Sequence, residues 1–178
     1  MTTVYTVGHG NRTTREFLDV LVVHQIRCVV DVRAYPVSRR HPHFSGAALQ
    51  AHLCDAGIGY VWEGAALGGM RKPSPASPHI ALKTGVRGFA DHMASVTFQG
   101  AVARVLALAD ERPIAIMCAE KLPSQCHRSL ISDALTVQSI TVRHLIDSQP
   151  PQGHVISRLA RVRGSTLIYD GHSQFSLL

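Results

Sequence analysis

Apolar residues along this chain follow two rhythms. Short runs at Val4–Val7 and Thr141–Ile146 read as strands, and the nearly continuous apolar runs Cys28–Val32 and Ile114–Cys118 as strands buried on both faces, as in a parallel sheet. Between them, apolar positions recur at helical spacing. Phe17, Leu18, Leu21 and Val22 follow a capping Thr13 or Thr14, and Ala47–Ala56 is stopped by Gly57. Phe89–Met93, Phe98–Ala109 and Ser129–Val137 read as further helices, the last starting near Cys126, and Tyr60–Trp62 as a short strand. Leu67–Pro78, with Gly68-Gly69 and three prolines, predicts a loop. Beyond Pro150-Pro151 the pattern weakens, and Thr166–Tyr169 fits an edge strand. Strands alternating with helices predict one α/β domain over residues 1–178, with a mostly parallel Rossmann-like sheet flanked by helices. Residues 150–178 form its least legible part.

Composition narrows the picture. A chain of 178 residues that is 46% hydrophobic buries a real core and is not disordered. Its formal charge of +6 favours an anionic partner, with phosphate-rich ligands and nucleic acid first, whether DNA, RNA or a nucleotide. Met1–His9 has no basic start followed by a long apolar core, and no apolar run approaches the roughly 18 residues of a membrane span. A cytoplasmic protein without a membrane partner is therefore expected. The four cysteines are then expected as free thiols.

In open α/β sheets ligands bind beyond the carboxyl ends of the strands. The residues there are His9 to Arg12, Asp31 to Arg40, Glu63 with Leu67 to Arg71, and Cys118 to Glu120. The densest chemistry lies in Cys118-Ala119-Glu120-Lys121-Leu122-Pro123-Ser124-Gln125-Cys126-His127-Arg128. Cys118, Cys126 and His127 are zinc-ligand types, although their spacing lacks the usual short pairing, and no metal or other cofactor is expected. A cysteine nucleophile like that of rhodaneses or low-molecular-weight phosphatases needs a cradle of amides, which a glycine-free loop with Leu122-Pro123 supplies poorly. A carboxylate mechanism on Asp31 and Glu120, with the cysteines as pocket walls, fits better. The bland alternative is that both cysteines are buried apolar groups. Asp31 sits inside an apolar run, so it is either ion-paired, with Arg33 or Arg128, or functional. Arg128 opposes the dipole of the helix it begins, which calls for an anion such as a phosphate or the Glu120 carboxylate. His9 is an acid/base candidate or a cap of its own loop, and Tyr60 and Trp62 share one strand face.

These residues resemble a bacterial and archaeal family catalogued as domain of unknown function 488. The matching features are Gly8-His9-Gly10-Asn11-Arg12, then Glu16-Phe17-Leu18, Val30-Asp31-Val32-Arg33, Tyr35-Pro36, Ser38-Arg39-Arg40, Leu67-Gly68-Gly69, Met117-Cys118-Ala119-Glu120 and Cys126-His127-Arg128. They span a family-like core over residues 4–145. The resemblance implies action on DNA, with removal of a modified base such as N6-methyladenine by a glycosylase. A flipped-out base then needs a pocket, and a carboxylate, Asp31 or Glu120, stabilises the sugar cation or activates water. On that reading Tyr35, Phe44 or Trp62 stacks on the base beside His9, Cys118, Cys126 and His127. Arg12, Arg33, Arg39, Arg40, Arg71 and Arg128 hold phosphates. Cysteine-dependent sulfur or phosphate transfer, and a non-catalytic nucleic-acid-binding module, are the competing expectations. The segments 72–78 and 150–178 follow no pattern of the family.

Overall fold

Alternation along the strands decides which layer each side chain meets. In β2 (Cys28–Asp31) Cys28 and Val30 join one apolar cluster and Val29 the other; in β4 (Ile114–Cys118) Ile114, Ile116 and Cys118 separate in the same way from Ala115 and Met117. Both strands are buried throughout, as their unbroken apolar runs require. Helices α1 (Thr14–Val23) and α2 (Gly46–Asp55) cover one face with Phe17, Leu21, Leu49 and Leu53. The other face is covered by α4 (Thr84–His92), α5 (Val96–Glu111) and α6 (Arg128–Thr136), through Phe89, Phe98, Val102, Leu130 and Leu135, with the short α3 (Gly64–Leu67) beside them.

The computed structural model describes residues 2–172. With β1 (Thr3–Gly8), β3 (Gly59–Trp62), β5 (Thr141–Leu145) and β6 (Gln152–Gly153), the sheet has the order β3-β2-β4-β1-β5-β6. It is parallel except for β6, which runs against β5. The protein is thus an α/β domain with a mostly parallel six-stranded sheet between helical layers. Among the described residues no helix is long and apolar enough to cross a membrane.

Two features differ from the sequence expectation. Thr166–Tyr169 is a strand (β8), but it pairs only with β7 (Ala160–Arg163) in a separate hairpin and is not an edge of the main sheet. Helix α4 begins at Thr84, five residues before its apolar positions announce it. Helix α6 starts at Arg128, within one residue of the expected Ser129, after a 3-10 turn at Pro123–Gln125. The expected extension to residue 178 lies outside the described residues from 173 onward. The start of α1 is as expected: Thr13 accepts the Glu16 amide and the Glu16 carboxylate accepts the Thr13 amide, a reciprocal cap.

The connectivity places a crevice. From β1 the chain passes to β2 through α1 on one face; from β4 it passes to β5 through α6 on the other. Neighbouring strands β1 and β4 therefore send their connections in opposite directions, which opens a ligand-sized gap at their carboxyl ends.

Candidate functional site

A pocket of about 410 Å³ occupies that gap, a volume typical of small-molecule sites. His9 enters it from the end of β1, Arg33 to Ser38 from the end of β2, and Cys118 to Glu120 from the end of β4. Gln125, Cys126 and His127 close it ahead of α6, while Gly69, Met70, Gly85 and Val86 form the facing wall. Two backbone bonds hold the strand ends together: His9 N–H donates to the Cys118 carbonyl at 3.0 Å and Gly10 N–H to that of Ala119 at 2.8 Å. So close an approach excludes a side chain at Gly8, where a Cβ would lie 1.7 Å from the Glu120 carbonyl oxygen.

Asp31 has another place than the sequence reading gave it. It is 0% exposed and does not line the pocket. Its oxygens accept from Arg33 Nε at 2.9 and 3.1 Å, Arg33 Nη2 at 2.5 Å, the Arg33 amide at 3.0 Å and the Tyr60 hydroxyl at 2.9 Å. Four donor groups saturate the carboxylate, leaving no lone pair turned to a substrate. Asp31 is therefore the partner that fixes Arg33, as the ion-pair alternative required. Arg33 is itself buried and donates also to the Phe44 carbonyl at 2.8 Å.

Three more of the expected phosphate ligands are occupied by backbone carbonyls. Arg128 is 1% exposed and donates to the carbonyls of Val7, Glu120 and Lys121. The anion its position called for is thus a set of carbonyl dipoles and not the Glu120 carboxylate. Arg12 donates to the carbonyls of Gly8 and Ile146, and Arg71 to those of Ala65, Ala66 and Gly68 at the end of α3. Strand and helix carboxyl ends leave acceptors without partners, and these guanidinium groups satisfy them. Arg39 and Arg40, by contrast, are exposed.

The aromatic residues divide similarly. Tyr35 is 71% exposed and lines the pocket. Phe44 is fully buried between Phe17 and the His9 ring, which stacks on it at 4.4 Å, so it has no face for a base. Trp62 lies outside the pocket lining, its indole N–H donating to the Arg33 carbonyl at 2.9 Å. Glu120 is exposed and is the one carboxylate among the described pocket residues.

His9 bonds through Nδ1 to the Gly10 carbonyl at 2.9 Å, an acceptor, so Nδ1 carries the proton and Nε2 a lone pair. Burial lowers its pKa to about 4, with Arg33 contributing, so near neutrality it is an acceptor and not a general acid. His127 has the opposite tautomer: Nε2 donates to the Leu67 carbonyl at 2.9 Å, and the Nδ1 lone pair faces Cys126 Sγ at 3.6 Å and Cys118 Sγ at 3.9 Å. The Cys118 thiol bonded to it, then the Arg128 guanidinium and amide, hold the Cys126 thiol below its ordinary range. The same bond with Cys126 and burial push Cys118 up.

Sequence reasoning put Val37 and Met70 in the strand-end loops without naming them as an apolar wall, and it did not reach Val86. Val37 and Met70 are 70% and 78% exposed, and apolar residues in otherwise polar loops after strands were the available signal. Gly85 and Val86 gave none, since the start of α4 was itself illegible.

Comparison with known proteins adds a family and no activity. The family described as Domain of unknown function DUF488 matches residues 13–135, more than half of the chain. No curated protein and no solved structure matches.

Proposed function

The chain belongs to the family described as Domain of unknown function DUF488, and from that premise we propose that it is a DNA-acting enzyme, a glycosylase that removes a modified base such as N6-methyladenine. The observation that carries the reading is the pocket itself: a crevice of about 410 Å³ at the sheet's switch point, with Glu120 the one carboxylate among its described lining residues. Glu120 stabilises the developing sugar cation or activates the attacking water, and Asp31 acts only through Arg33. Tyr35, at the rim, stacks on the extruded base, and the exposed Arg39 and Arg40 contact backbone phosphates.

Cysteine-dependent group transfer is less well supported. A phosphate or persulfide cradle needs several amides around the sulfur; beside Cys126 the Arg128 amide faces the sulfur at 3.4 Å, while those of Gln125 and Cys126 donate to Leu122 and Pro123 and those of Ser129 and Leu130 to Cys126 and His127.

The test is mass-spectrometric detection of free base released from a panel of modified duplexes. Wild-type protein should release one modified base, and Glu120→Gln should slow release by about 100-fold or more. Absence of release from every duplex would overturn the reading.

A further inference from the structure

We propose that Cys118, Cys126 and His127 form a zinc site whose fourth coordination position opens into the pocket. The donor atoms, two sulfurs and one imidazole nitrogen, all lie within 4.8 Å of one another, and all three residues are buried and line the pocket. Zinc–sulfur bonds of about 2.3 Å and zinc–nitrogen bonds of about 2.0–2.1 Å put tetrahedral donors roughly 3.5–3.8 Å apart. The Cys126 sulfur, 3.6 Å from His127 Nδ1, already has that spacing, and the Cys118 sulfur, at 3.9 Å, needs to move in by a few tenths of an ångström. The long gap between the cysteines in the sequence is no obstacle, because the 3-10 turn at Pro123–Gln125 folds Cys126 back onto the end of β4.

Two further features prepare the site. The Leu67 carbonyl fixes the His127 tautomer by accepting from Nε2, the outer partner that a metal-bound histidine ordinarily has. Gly69 then leaves the ligating side of the ring open: a Cβ there would fall 2.6 Å from Nδ1. This glycine serves space and not backbone conformation. Thiolate and imidazole donors suit zinc and not magnesium or calcium. Three protein donors with one open position are the arrangement of zinc sites that hold solvent for reaction, and Glu120 borders the same pocket.

The inference is independent of base removal, and its readout is metal content. Full-length protein is purified under reducing conditions, analysed for metal by elemental mass spectrometry, then stripped with a chelator and titrated with zinc and with cobalt(II). About one zinc per chain and the absorption of tetrahedral thiolate-bound cobalt are expected. Cys126→Ser should weaken zinc binding by more than the roughly 10–100-fold typical of losing an outer partner. Gly69→Ala should weaken it while keeping both thiols, and Cys54→Ser should leave it unchanged. Reduced, folded wild-type protein that binds neither metal, or equal loss in Cys54→Ser and Cys126→Ser, would overturn the proposal. Should Cys126→Ser fail to fold, the wild-type titration and Gly69→Ala decide alone.

Discussion

Helix α6 carries a buried polar cluster at each end, and the two are built on opposite plans. Behind the helix, the Thr6 hydroxyl lies 2.7 Å from His144 Nδ1, His144 Nε2 is 2.9 Å from His154 Nδ1, and His154 Nε2 is 2.7 Å from Asp133. The Tyr169 hydroxyl and the Ser157 amide complete the carboxylate at 2.8 and 3.1 Å. Because Asp133 only accepts, every proton in the chain points the same way, from Thr6 to Asp133, and each histidine nitrogen has one defined role. Ahead of the helix, His127 and the two thiols share one lone pair and open onto the pocket. The closed network ties the C-terminal segment to the core. The open cluster keeps donor capacity in reserve, as a ligand site must.

The comparison breaks most directly at Asp133. Asp133→Ala removes the acceptor that three donors share and leaves His154 and Tyr169 unpaired, so it should cost about 3–5 kcal/mol in urea unfolding. A cost below about 1 kcal/mol would show the network to be incidental to the fold. Acid should act on the same network. Burial, then His154 and Arg128, lower the His144 pKa from 6.5 to about 4. The unfolded chain therefore takes up the proton first as pH falls. The stability that neutral His144 contributes is full above pH 6.5 and is lost progressively down to about pH 4. Across that interval the loss is on the order of 1.4 kcal/mol for each pH unit. His9, lowered to about 4 beside the pocket, adds a slope of the same sign. Replacing His144 with Asn should flatten the slope measured by denaturation across that interval; an unchanged slope would assign it to other groups.

The sheet was legible because a strand buried on both faces needs an apolar run, and Cys28–Asp31 and Ile114–Cys118 supply one. The start of helix α4 was not, because Gly85 and Gly88 lie in its first turns; Gly88 is there for close packing, since a Cβ would meet the Arg71 carbonyl oxygen at 2.2 Å. Strand β6 is two exposed residues long, too short to show any period. At the site, strand-end logic located the pocket and named Cys118, Glu120, Cys126 and His127. The guanidinium groups defeated it. Composition registers Arg12, Arg71 and Arg128 as positive charge, whereas their partners are carbonyls brought near only by folding. Asp31 shows the same limit: the Tyr60 hydroxyl that completes its shell comes from 29 residues away.

The open side of the comparison is sharpened last and most gently at its rim. If DNA lies across the pocket mouth, Arg39 and Arg40 are the cations free to meet phosphate, since Arg12, Arg71 and Arg128 are held by carbonyls. Arg39→Ala with Arg40→Ala should leave stability unchanged within about 0.5 kcal/mol, as both side chains are exposed. It should weaken duplex binding at every sequence alike and flatten the logarithmic salt dependence by about 0.9 for each phosphate no longer neutralised. The slope is the informative quantity, because a distorted pocket lowers affinity without releasing fewer counterions. A double variant with weaker binding and an unchanged slope would move the DNA path off this loop, and unchanged binding would remove the loop from the interface.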